Sequence, residues 1–411
     1  MKTDVIVIGS GFAGLMAALV SVAQGKKTAV LTYGMGTFAL NSGVIDILGY
    51  DAAGKAVKNP LEAIKALPES HPYRKVGTEK LNAAVKFFLS TMEEARFGYI
   101  GSLSEQQWVP TAVGTMKPTC FVPKTMQGMQ CFEKKKIIIV GIKGLKDFYA
   151  DMMMENIKSW LGVEKSYSTA VVNPGFGEGR DATGADVARW LDTDEGIQSF
   201  ASQMQSAATA DAVLIMPQIL GSEGLNAYEK LSARLGSSLV EATSLPPSTN
   251  GMRLYRALRK ALHSKGVDIF ENTQVVRGIS EGNHAIGVVA KTSVREATYK
   301  AEKIILATGG FYSGGLVMRD FGKPRECIFD LPMEFDCAEE QWSNAELFGN
   351  EQGYAKAGIR TDASLRAVDE AGKIVLDNVY IAGRNLSGYD FCHEQSGNGV
   401  ALATAYQAAM A

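Results

Sequence analysis

The N-terminal residues constrain the fold of this chain more than any other stretch. A short, unbroken apolar run, Val5–Ile8, is followed by glycines 9, 11 and 14 in the spacing G-x-G-x-x-G. The apolar run predicts a strand that is buried on both faces. Gly9 allows a tight turn, Gly11 lets a phosphate approach the backbone, and Gly14 lets the following helix pack against the strand. Because a helix N-terminus offers N–H groups to an anion, we predict a phosphate-binding turn made of Gly9, Ser10, Gly11 and Gly14.

The context of this turn strengthens the prediction. A second β-like run, Lys27–Thr32, would close a βαβ unit. A glycine-rich turn without a ligand is the alternative. The uncharged run 5–23 is interrupted by three glycines and preceded by Asp4, which argues against a membrane span or a signal peptide.

Length and composition narrow the class of protein. The 411 residues suggest roughly two to three domains, and 46% hydrophobic with 21% charged residues is ordinary for a globular enzyme. A net charge of −2 without a basic stripe argues against nucleic acid as a partner. The 5 cysteines are scattered without a C-x-x-C pair, so we expect no metal or iron–sulfur site and a reducing, cytoplasmic location.

The end of the second strand and the turn that follows it give information about the ligand. A site that holds a dinucleotide usually has an acid at the end of this strand to bind the ribose, but this chain has Thr32 there, which offers only a hydroxyl. The turn Asn41-Ser42-Gly43 offers polar groups where a ring system could lie. Thr32, Ser42 and Gly43 are therefore candidate ligand contacts, although an Asx turn needs no ligand.

Two later segments repeat the pattern of an apolar strand followed by glycine, and a third is a glycine-rich helix start. Lys303–Gly310 ends in Ala307-Thr308-Gly309, and Val379–Gly383 ends in Gly383. After a loop, Ser396-Gly397-Asn398-Gly399 opens a last helix, whose N–H groups could face a carbonyl of a bound ring. The candidate contacts in these segments are Ala307, Thr308, Gly309, Gly383, Asn398 and Gly399.

The chain resembles the two-domain flavoproteins of the fumarate reductase and glycerol-3-phosphate dehydrogenase type, on the glycine motifs at both of its ends. The closer resemblance is to the family of B subunits of anaerobic glycerol-3-phosphate dehydrogenases. It rests on total length, the stretch NSGVIDILG, the helix NGMRLYRALRKAL and the loop Gly388-Tyr389-Asp390.

The resemblance implies an α/β fold: a Rossmann-like flavin-binding domain, with a βαβ unit and a central parallel sheet, split by an inserted α+β cap or substrate domain. We expect residues 1–55 and 245–411 in the flavin domain, which could also take parts of 135–175, and residues 56–244 in the insertion.

The resemblance also implies the cofactor and the partners. FMN is the expected flavin, with FAD as the alternative. The expected partners are an A-type subunit that carries FAD and an iron–sulfur C-type subunit that attaches the pair to the inner membrane. The implied reaction is oxidation of glycerol 3-phosphate to dihydroxyacetone phosphate, with electrons passing toward a quinone.

Two other functions remain open at this stage. A stand-alone fumarate reductase-like enzyme would need cations at the flavin, for which Arg253, Arg319 and Arg384 are the candidates. A basic face on the helix that carries Arg253 could instead be simply solvated. The other possibility is a non-catalytic assembly subunit. The sequence identifies no catalytic residue, because His393 could either move a proton or only donate a hydrogen bond.

Overall fold

A computed structural model describes residues 2–176, 179, 181–318, 324–335, 337–346 and 352–411. The chain forms two compact units. Unit 1 comprises Met1–Thr37, Asp46–Thr91 and Leu258–Ala411, and unit 2 comprises Phe38–Ile45 and Met92–Ala257.

The secondary structure elements are numbered in chain order. The strands are β1 Lys2–Ile8, β2 Thr28–Leu31, β3 Tyr99–Gly101, β4 Gln107–Pro110, β5 Met116–Thr119, β6 Phe121–Pro123, β7 Lys136–Ile142, β8 Ser166–Val172, β9 Ala212–Met216, β10 Ser238–Glu241, β11 Asp268–Phe270, β12 Gln274–Glu281, β13 His284–Lys291, β14 Glu296–Leu306, β15 Leu316–Met318, β16 Pro324–Glu326, β17 Met333–Glu334, β18 Gly358–Ile359 and β19 Val379–Ile381. The α-helices are α1 Phe12–Ala23, α2 Pro60–Ala63, α3 Pro72–Val76, α4 Thr78–Glu94, α5 Gln130–Glu133, α6 Ala150–Leu161, α7 Gly184–Leu191, α8 Asp194–Met204, α9 Asn226–Leu235, α10 Thr249–Ser264 and α11 Gly397–Met410.

A mixed sheet forms the centre of unit 1. Its order is β11-β2-β1-β14-β13-β12, and β19 pairs with the C-terminal part of β14. β11, β2, β1, β14 and β19 run parallel, whereas β13 and β12 are antiparallel to their neighbours. Val5–Ile8 are buried, as expected for a strand covered on both faces. The predicted Rossmann-like parallel arrangement is thus present.

The two ends of the chain meet in unit 1. α1 and α11 are both almost fully buried and pack against each other. A side chain on Gly383, which follows β19, would begin 2.9 Å from the Cβ of Ala13 in α1, and the amide of Gly383 donates to the hydroxyl of Thr404 in α11 at 3.0 Å. The end of β19 therefore lies between the first and last helices.

The boundaries of the units differ from the predicted domain boundaries. Residues 56–91 belong to unit 1, and residues 245–257 belong to unit 2 together with 38–45 and 135–175. Within unit 1, α3 packs on α11. The ring centroids of Phe88 in α4 and Phe12 in α1 lie 5.7 Å apart. Helical periodicity predicts that a face is buried, but it does not say which core buries it.

Unit 2 contains a second, wholly parallel sheet with the order β10-β9-β7-β8. The helices α6 to α9 alternate with its strands along the chain, and β9 is completely buried. Two antiparallel strand pairs, β3 with β6 and β4 with β5, complete the unit. The core of this region is therefore a parallel α/β layer with two antiparallel strand pairs added to it, whereas the resemblance implied an α+β insertion.

A buried ion pair lies in unit 2 at the end of β10. Both side chains of the pair, Arg253 and Glu241, are inaccessible to solvent, and they form two hydrogen bonds of 2.7 and 3.0 Å. Arg253 also donates to the carbonyl of Gly221 at 2.7 Å, and Glu241 accepts from the amide of Leu220 at 2.7 Å. Burial alone would raise the pKa of Glu241, but the charge and hydrogen bonds of its partners, Arg253 first among them, together lower the pKa.

This pairing excludes Arg253 as a substrate-binding cation, so that candidate was wrong. The other basic residues of α10 behave as a solvated face: Arg256 and Lys260 are exposed, and Arg259 pairs with Glu271 at 2.6 Å. Arg319, the second candidate, lies outside the described residues.

We predict that Arg253→Met lowers the free energy of unfolding by about 3–5 kcal/mol, because it leaves the Glu241 carboxylate buried without a partner. Urea unfolding followed by circular dichroism measures this change. The double variant Arg253→Met, Glu241→Leu should recover most of the loss, since it buries no charge. Asp194→Asn, which breaks the exposed pair with Lys230, is the control and should cost no more than about 1 kcal/mol. Equal losses in the single and double variants would contradict the prediction.

Candidate functional site

The parallel strands of unit 1 end together at one edge of the sheet. The amide of Gly9 donates to the carbonyl of Leu31, the amide of Ala307 donates to that of Ile8, and the amide of Ala382 donates to that of Leu306, each at 2.9 Å. Ligands of parallel α/β sheets bind outside the carboxyl ends of the strands. The structure thus brings the first glycine turn and the two later strand ends to the edge where a nucleotide would bind.

The three glycines of the first turn differ in what a side chain at each position would meet. A side chain on Gly9 would overlap the carbonyl oxygen of Ala307, and the φ of Gly9 is +106°. A side chain on Gly14 would overlap the carbonyl oxygen of Gly9. A side chain on Gly11 would meet no atom within 4 Å. Packing therefore requires Gly9 and Gly14, whereas the open space in front of Gly11 fits an approaching phosphate.

The N-terminus of α1 is suited to an anion. Gly11 is its N-cap and provides no side-chain hydrogen bond, and the first turn contains no acidic residue. The first N–H groups of a helix have no partner within the helix, and its dipole places partial positive charge there. Nothing in the capping residues neutralises this end of the helix.

Two hydroxyl groups lie at the end of β2, where a dinucleotide site usually has an acid that binds the ribose. The oxygens of Ser10 and Thr32 lie 2.8 Å apart, and both side chains are buried. They lie 2.8 and 2.6 Å from the carbonyl oxygen of Gly34. The two hydroxyl protons are therefore used within the protein, because Gly34 and the neighbouring hydroxyl accept them.

The turn that follows β14 is held by the loop that follows β19. The side-chain amide of Asn385 donates to the carbonyl of Leu306 at 2.9 Å and to the hydroxyl of Thr308 at 3.3 Å. Gly309 adopts a φ of +76°, and a side chain there would meet Ser313. Thr308 and Gly309 thus shape the same edge of the sheet as Gly9, and their predicted contact with a cofactor stays a prediction.

The start of α11 differs in part from the expectation. The helix begins at Gly397 after an N-cap Ser396 that makes no capping hydrogen bond. The amide of Gly399 donates to the carbonyl of Asp46 at 2.9 Å, and a side chain on Gly399 would overlap the hydroxyl of Tyr73. Gly399 is therefore required for packing. The sequence predicts that its amide faces a ring carbonyl, but the carbonyl of Asp46 already accepts the hydrogen bond from this amide. Asn398, beside it, stays a candidate.

The turn Asn41-Ser42-Gly43 belongs to unit 2 and forms an Asx turn, with the amide of Gly43 donating to Asn41 Oδ1 at 2.8 Å. The carbonyl of Ser42 accepts from Gln218 at 3.0 Å, and that of Gly43 accepts from Tyr99 at 2.6 Å. Hydrogen bonds inside the unit account for this geometry, and the predicted contact of Ser42 and Gly43 with a flavin stays a prediction.

The loop 384–395 contains polar atoms that the protein does not satisfy. Asn385 Oδ1, His393 Nε2 and Gln395 Oε1 are buried and have no hydrogen-bond partner within the described part of the chain. Gln395 also has a φ of +48°, which is uncommon outside glycine. Buried polar atoms normally have partners, so this loop fits a polar ligand. The sequence reasoning missed Asn385 and Gln395, whose only signal was their position after a strand end.

A cavity of about 720 Å³ lies elsewhere in unit 1 and contains none of the predicted contacts. Glu334, Glu340 and Lys356 are among its lining residues. With two acids and one lysine, it is poorly suited to a phosphate. Among the described residues, no group of three or more His, Cys, Asp or Glu side chains is placed to hold a metal ion.

Comparison with known proteins identifies the family. The model of the family described as FAD binding domain matches residues 4–400. The chain belongs to this family. The B subunit of anaerobic glycerol-3-phosphate dehydrogenase from Yersinia enterocolitica is 30% identical over 98% of this chain and 96% of the relative. A probable B subunit of the same enzyme from Halobacterium salinarum is 32% identical over 100% of this chain and 98% of the relative. The chain therefore also belongs to the family of these B subunits.

These matches confirm the predicted family and a flavin as the class of cofactor. Among solved structures, 3-ketosteroid delta1-dehydrogenase from Sterolibacterium denitrificans shares 12% identity at a TM-score of 0.48, over 100% of this chain and 99% of that one. A likeness at that score carries no argument about function. None of the helices in the described ranges is long and apolar enough to cross a bilayer.

We predict that Gly11→Val abolishes flavin binding without unfolding the protein. The new side chain would enter the open space in front of α1, where the phosphate would bind, and its Cβ would have no protein atom within 4 Å. The extended backbone of Gly11, with φ −67° and ψ 178°, also accepts a side chain. The absorbance of the purified variant near 450 nm measures bound flavin, and a stoichiometric yellow chromophore would contradict the prediction.

Gly14→Ala is the matched control. We predict that it destabilises the apoprotein, whereas Gly11→Val leaves the apoprotein folded. Its methyl group would overlap the carbonyl oxygen of Gly9, so the apoprotein should lose about 1–3 kcal/mol of stability. Thermal unfolding of the two apoproteins measures the difference and removes the contribution of ligand binding to stability. A Gly14→Ala apoprotein as stable as the unmodified one would show that the helix and strand do not pack as described.

Proposed function

We propose that this chain is a flavin-dependent subunit of an anaerobic glycerol-3-phosphate dehydrogenase. The complex would oxidise glycerol 3-phosphate to dihydroxyacetone phosphate and pass the electrons toward a quinone. The observation that carries this proposal is the near-complete coverage by the relatives named above, at 30% and 32% identity. The glycine turns and the unsatisfied polar atoms of unit 1 supply a site that such a subunit would need.

The oxidation converts a secondary alcohol to a ketone, so the substrate loses two electrons and two protons. A bound flavin supplies the acceptor for the two electrons. The residues of this chain would hold and orient it. Gly9, Ser10 and Gly11 would place the N-terminus of α1 against a phosphate, and Gly14 keeps this helix against the strand.

The loop 384–395 would supply the polar contacts of the ring. Asn385 and Gln395 each present a buried amide oxygen without a partner among the described residues, and His393 presents a ring nitrogen. Amide oxygens accept hydrogen bonds, and His393 Nε2 can donate or accept according to its tautomer. Of these three residues, His393 is the one that could hold or move a proton. Its backbone is fixed by a bond of 3.0 Å to Asp390.

FMN is the flavin that we propose for this site. In a dinucleotide site, a carboxylate at the end of the second strand binds the adenosine ribose. Here Thr32 stands at that position and uses its hydroxyl with Ser10 and Gly34. FMN has no adenosine ribose, so it requires no such contact. FAD, after which the matching family is described, is the alternative.

The partners that we propose are an A-type subunit carrying FAD and an iron–sulfur C-type subunit that holds the complex at the inner membrane. The support for them is that the relatives are named as subunits. The chain itself would be cytoplasmic and peripheral. In this arrangement it would relay electrons between its partners.

Arg253 no longer supports the alternative of a stand-alone reductase, because this arginine is paired with Glu241 inside unit 2. A subunit that only assembles the complex would bind no flavin. Both alternatives differ from our proposal in measurable ways.

The test of the proposed activity uses the chain purified with the proteins that accompany it. We expect the complex to reduce a quinone analogue with glycerol 3-phosphate and not with succinate. Complex assembled with Gly11→Val should lose most of this activity while keeping all of its subunits. Full activity without flavin in this chain would identify it as an assembly subunit.

We predict that the chromophore released from the purified chain by acid has the mass of FMN. Mass spectrometry of the supernatant decides this directly. A released mass of FAD would overturn the choice of flavin but not the family, and the hydroxyl cluster of Ser10 and Thr32 would then lie beside the ribose.

A further inference from the structure

Arg384 follows Gly383 at the end of β19, at the carboxyl edge of the sheet of unit 1. Its backbone carbonyl lies 3.2 Å from the position where a side chain on Gly310 would begin, so it is close to the turn after β14. Its guanidinium carbon lies 3.1 Å from the centre of the Phe391 ring and 5.8 Å from that of Tyr312. The cation thus lies against the Phe391 ring and close to the Tyr312 ring, beside the candidate cofactor site.

The guanidinium lacks the partner that a buried cation normally has. Within the described ranges, it takes part in no salt bridge and donates no hydrogen bond to the protein, although it is partly buried. Burial lowers the pKa of Arg384, and the groups that oppose this shift are tyrosines and a cysteine, not carboxylates. The buried carboxylate of the same loop, Asp390, is occupied by the backbone amides of Cys392 and His393 at 3.0 Å each. The guanidinium's N–H donors are therefore left without an acceptor among the described residues.

Two phenols complete the cluster. The hydroxyl oxygens of Tyr312 and Tyr354 lie 2.6 Å apart. Burial and the hydrogen bond to Tyr312 raise the pKa of Tyr354, so the phenol keeps its proton at neutral pH. One of the two hydroxyls donates to the other, and the proton of the second remains for a ligand. Arg384 and this pair therefore present donors to a ligand, while the phenol oxygens can also accept hydrogen bonds.

We propose that Arg384, with the Tyr312–Tyr354 pair, binds the phosphate of a small phosphate monoester that enters from solvent. The planar guanidinium can donate two parallel hydrogen bonds to phosphate oxygens. Tyr312 is 68% exposed, so the cluster is open to a diffusing molecule rather than enclosed around a permanent one. Resting on the proposed function, the inference names glycerol 3-phosphate as the ligand and makes Arg384 a specificity residue.

The experiment measures binding to the purified full chain with its chromophore, by calorimetry with glycerol 3-phosphate, inorganic phosphate and glycerol. We expect the first two to bind and glycerol not to bind. Arg384→Met, which removes the charge and keeps an unbranched stem, should raise the Kd for glycerol 3-phosphate at least about tenfold, since charge-assisted hydrogen bonds are the strong ones. Arg384→Lys keeps the charge but loses the fork, and its Kd should fall between those of Arg384→Met and the unmodified chain.

Arg295→Met is the matched control. Arg295 lies in the exposed turn between β13 and β14, at the opposite end of β14 from the candidate site. It should leave the Kd unchanged. Circular dichroism and flavin absorbance of each variant show whether the fold and the cofactor are retained, so a loss of affinity in Arg384→Met can be assigned to the missing cation.

Several outcomes would overturn the inference. Unmodified chain that binds neither phosphate compound, or Arg384→Met that binds them as well as unmodified chain, excludes the site even if the complex oxidises glycerol 3-phosphate. Unchanged binding together with a lower yield of copurifying subunits in Arg384→Met would mean that a partner's acid pairs with Arg384. If binding depends on Arg384 but the complex does not oxidise glycerol 3-phosphate, the phosphate site stands and the proposed function fails.

Discussion

The parallel pairing of β1 with β2 and β14 is the constraint on which the rest of unit 1 depends. It joins residues 2–8 to residues 300–306, almost 300 positions later, and makes their carboxyl ends finish together. Because Gly9 lies directly against the carbonyl of Ala307, the two strand ends can approach only where no side chain intervenes. The same pairing leaves the N-terminus of α1 at the carboxyl edge of the sheet, where an anion can reach it.

Two arginines illustrate how the protein treats buried charge. Arg253 is enclosed in unit 2, and its donors are matched by Glu241, Asn250 and a carbonyl, so its charge is compensated within the protein and is not available for chemistry. Arg384 lies close to two aromatic rings and has no hydrogen-bond acceptor within the described residues. A buried cation without a partner is costly. A bound phosphate would offset that cost, and this difference separates two residues that look alike in the sequence.

The local elements of unit 1 were the most predictable part of the molecule. The first strand, the glycine turn and the strand ends at Ala307 and Gly383 follow from short apolar runs next to glycine, and all of them are present. The candidate contacts were less predictable, since a glycine can be required by a ligand or by packing. Gly399 shows the second case, because Tyr73 and Asp46 occupy the space beside it. Neither of those residues is near Gly399 in the chain.

The sequence by itself determined the class of fold, which depends on local patterns: the buried strand and the glycine spacing. Through the family that the chain resembles, it also determined a flavin as the class of cofactor. Only the tertiary structure decided which polar groups are used and which are left over. It joined Glu241 to Arg253, closed the hydroxyls of Ser10 and Thr32 on Gly34, and left Arg384 unpaired among the described residues. The physical reason is that hydrogen bonding and desolvation depend on neighbours in space, and those neighbours come from distant parts of the chain.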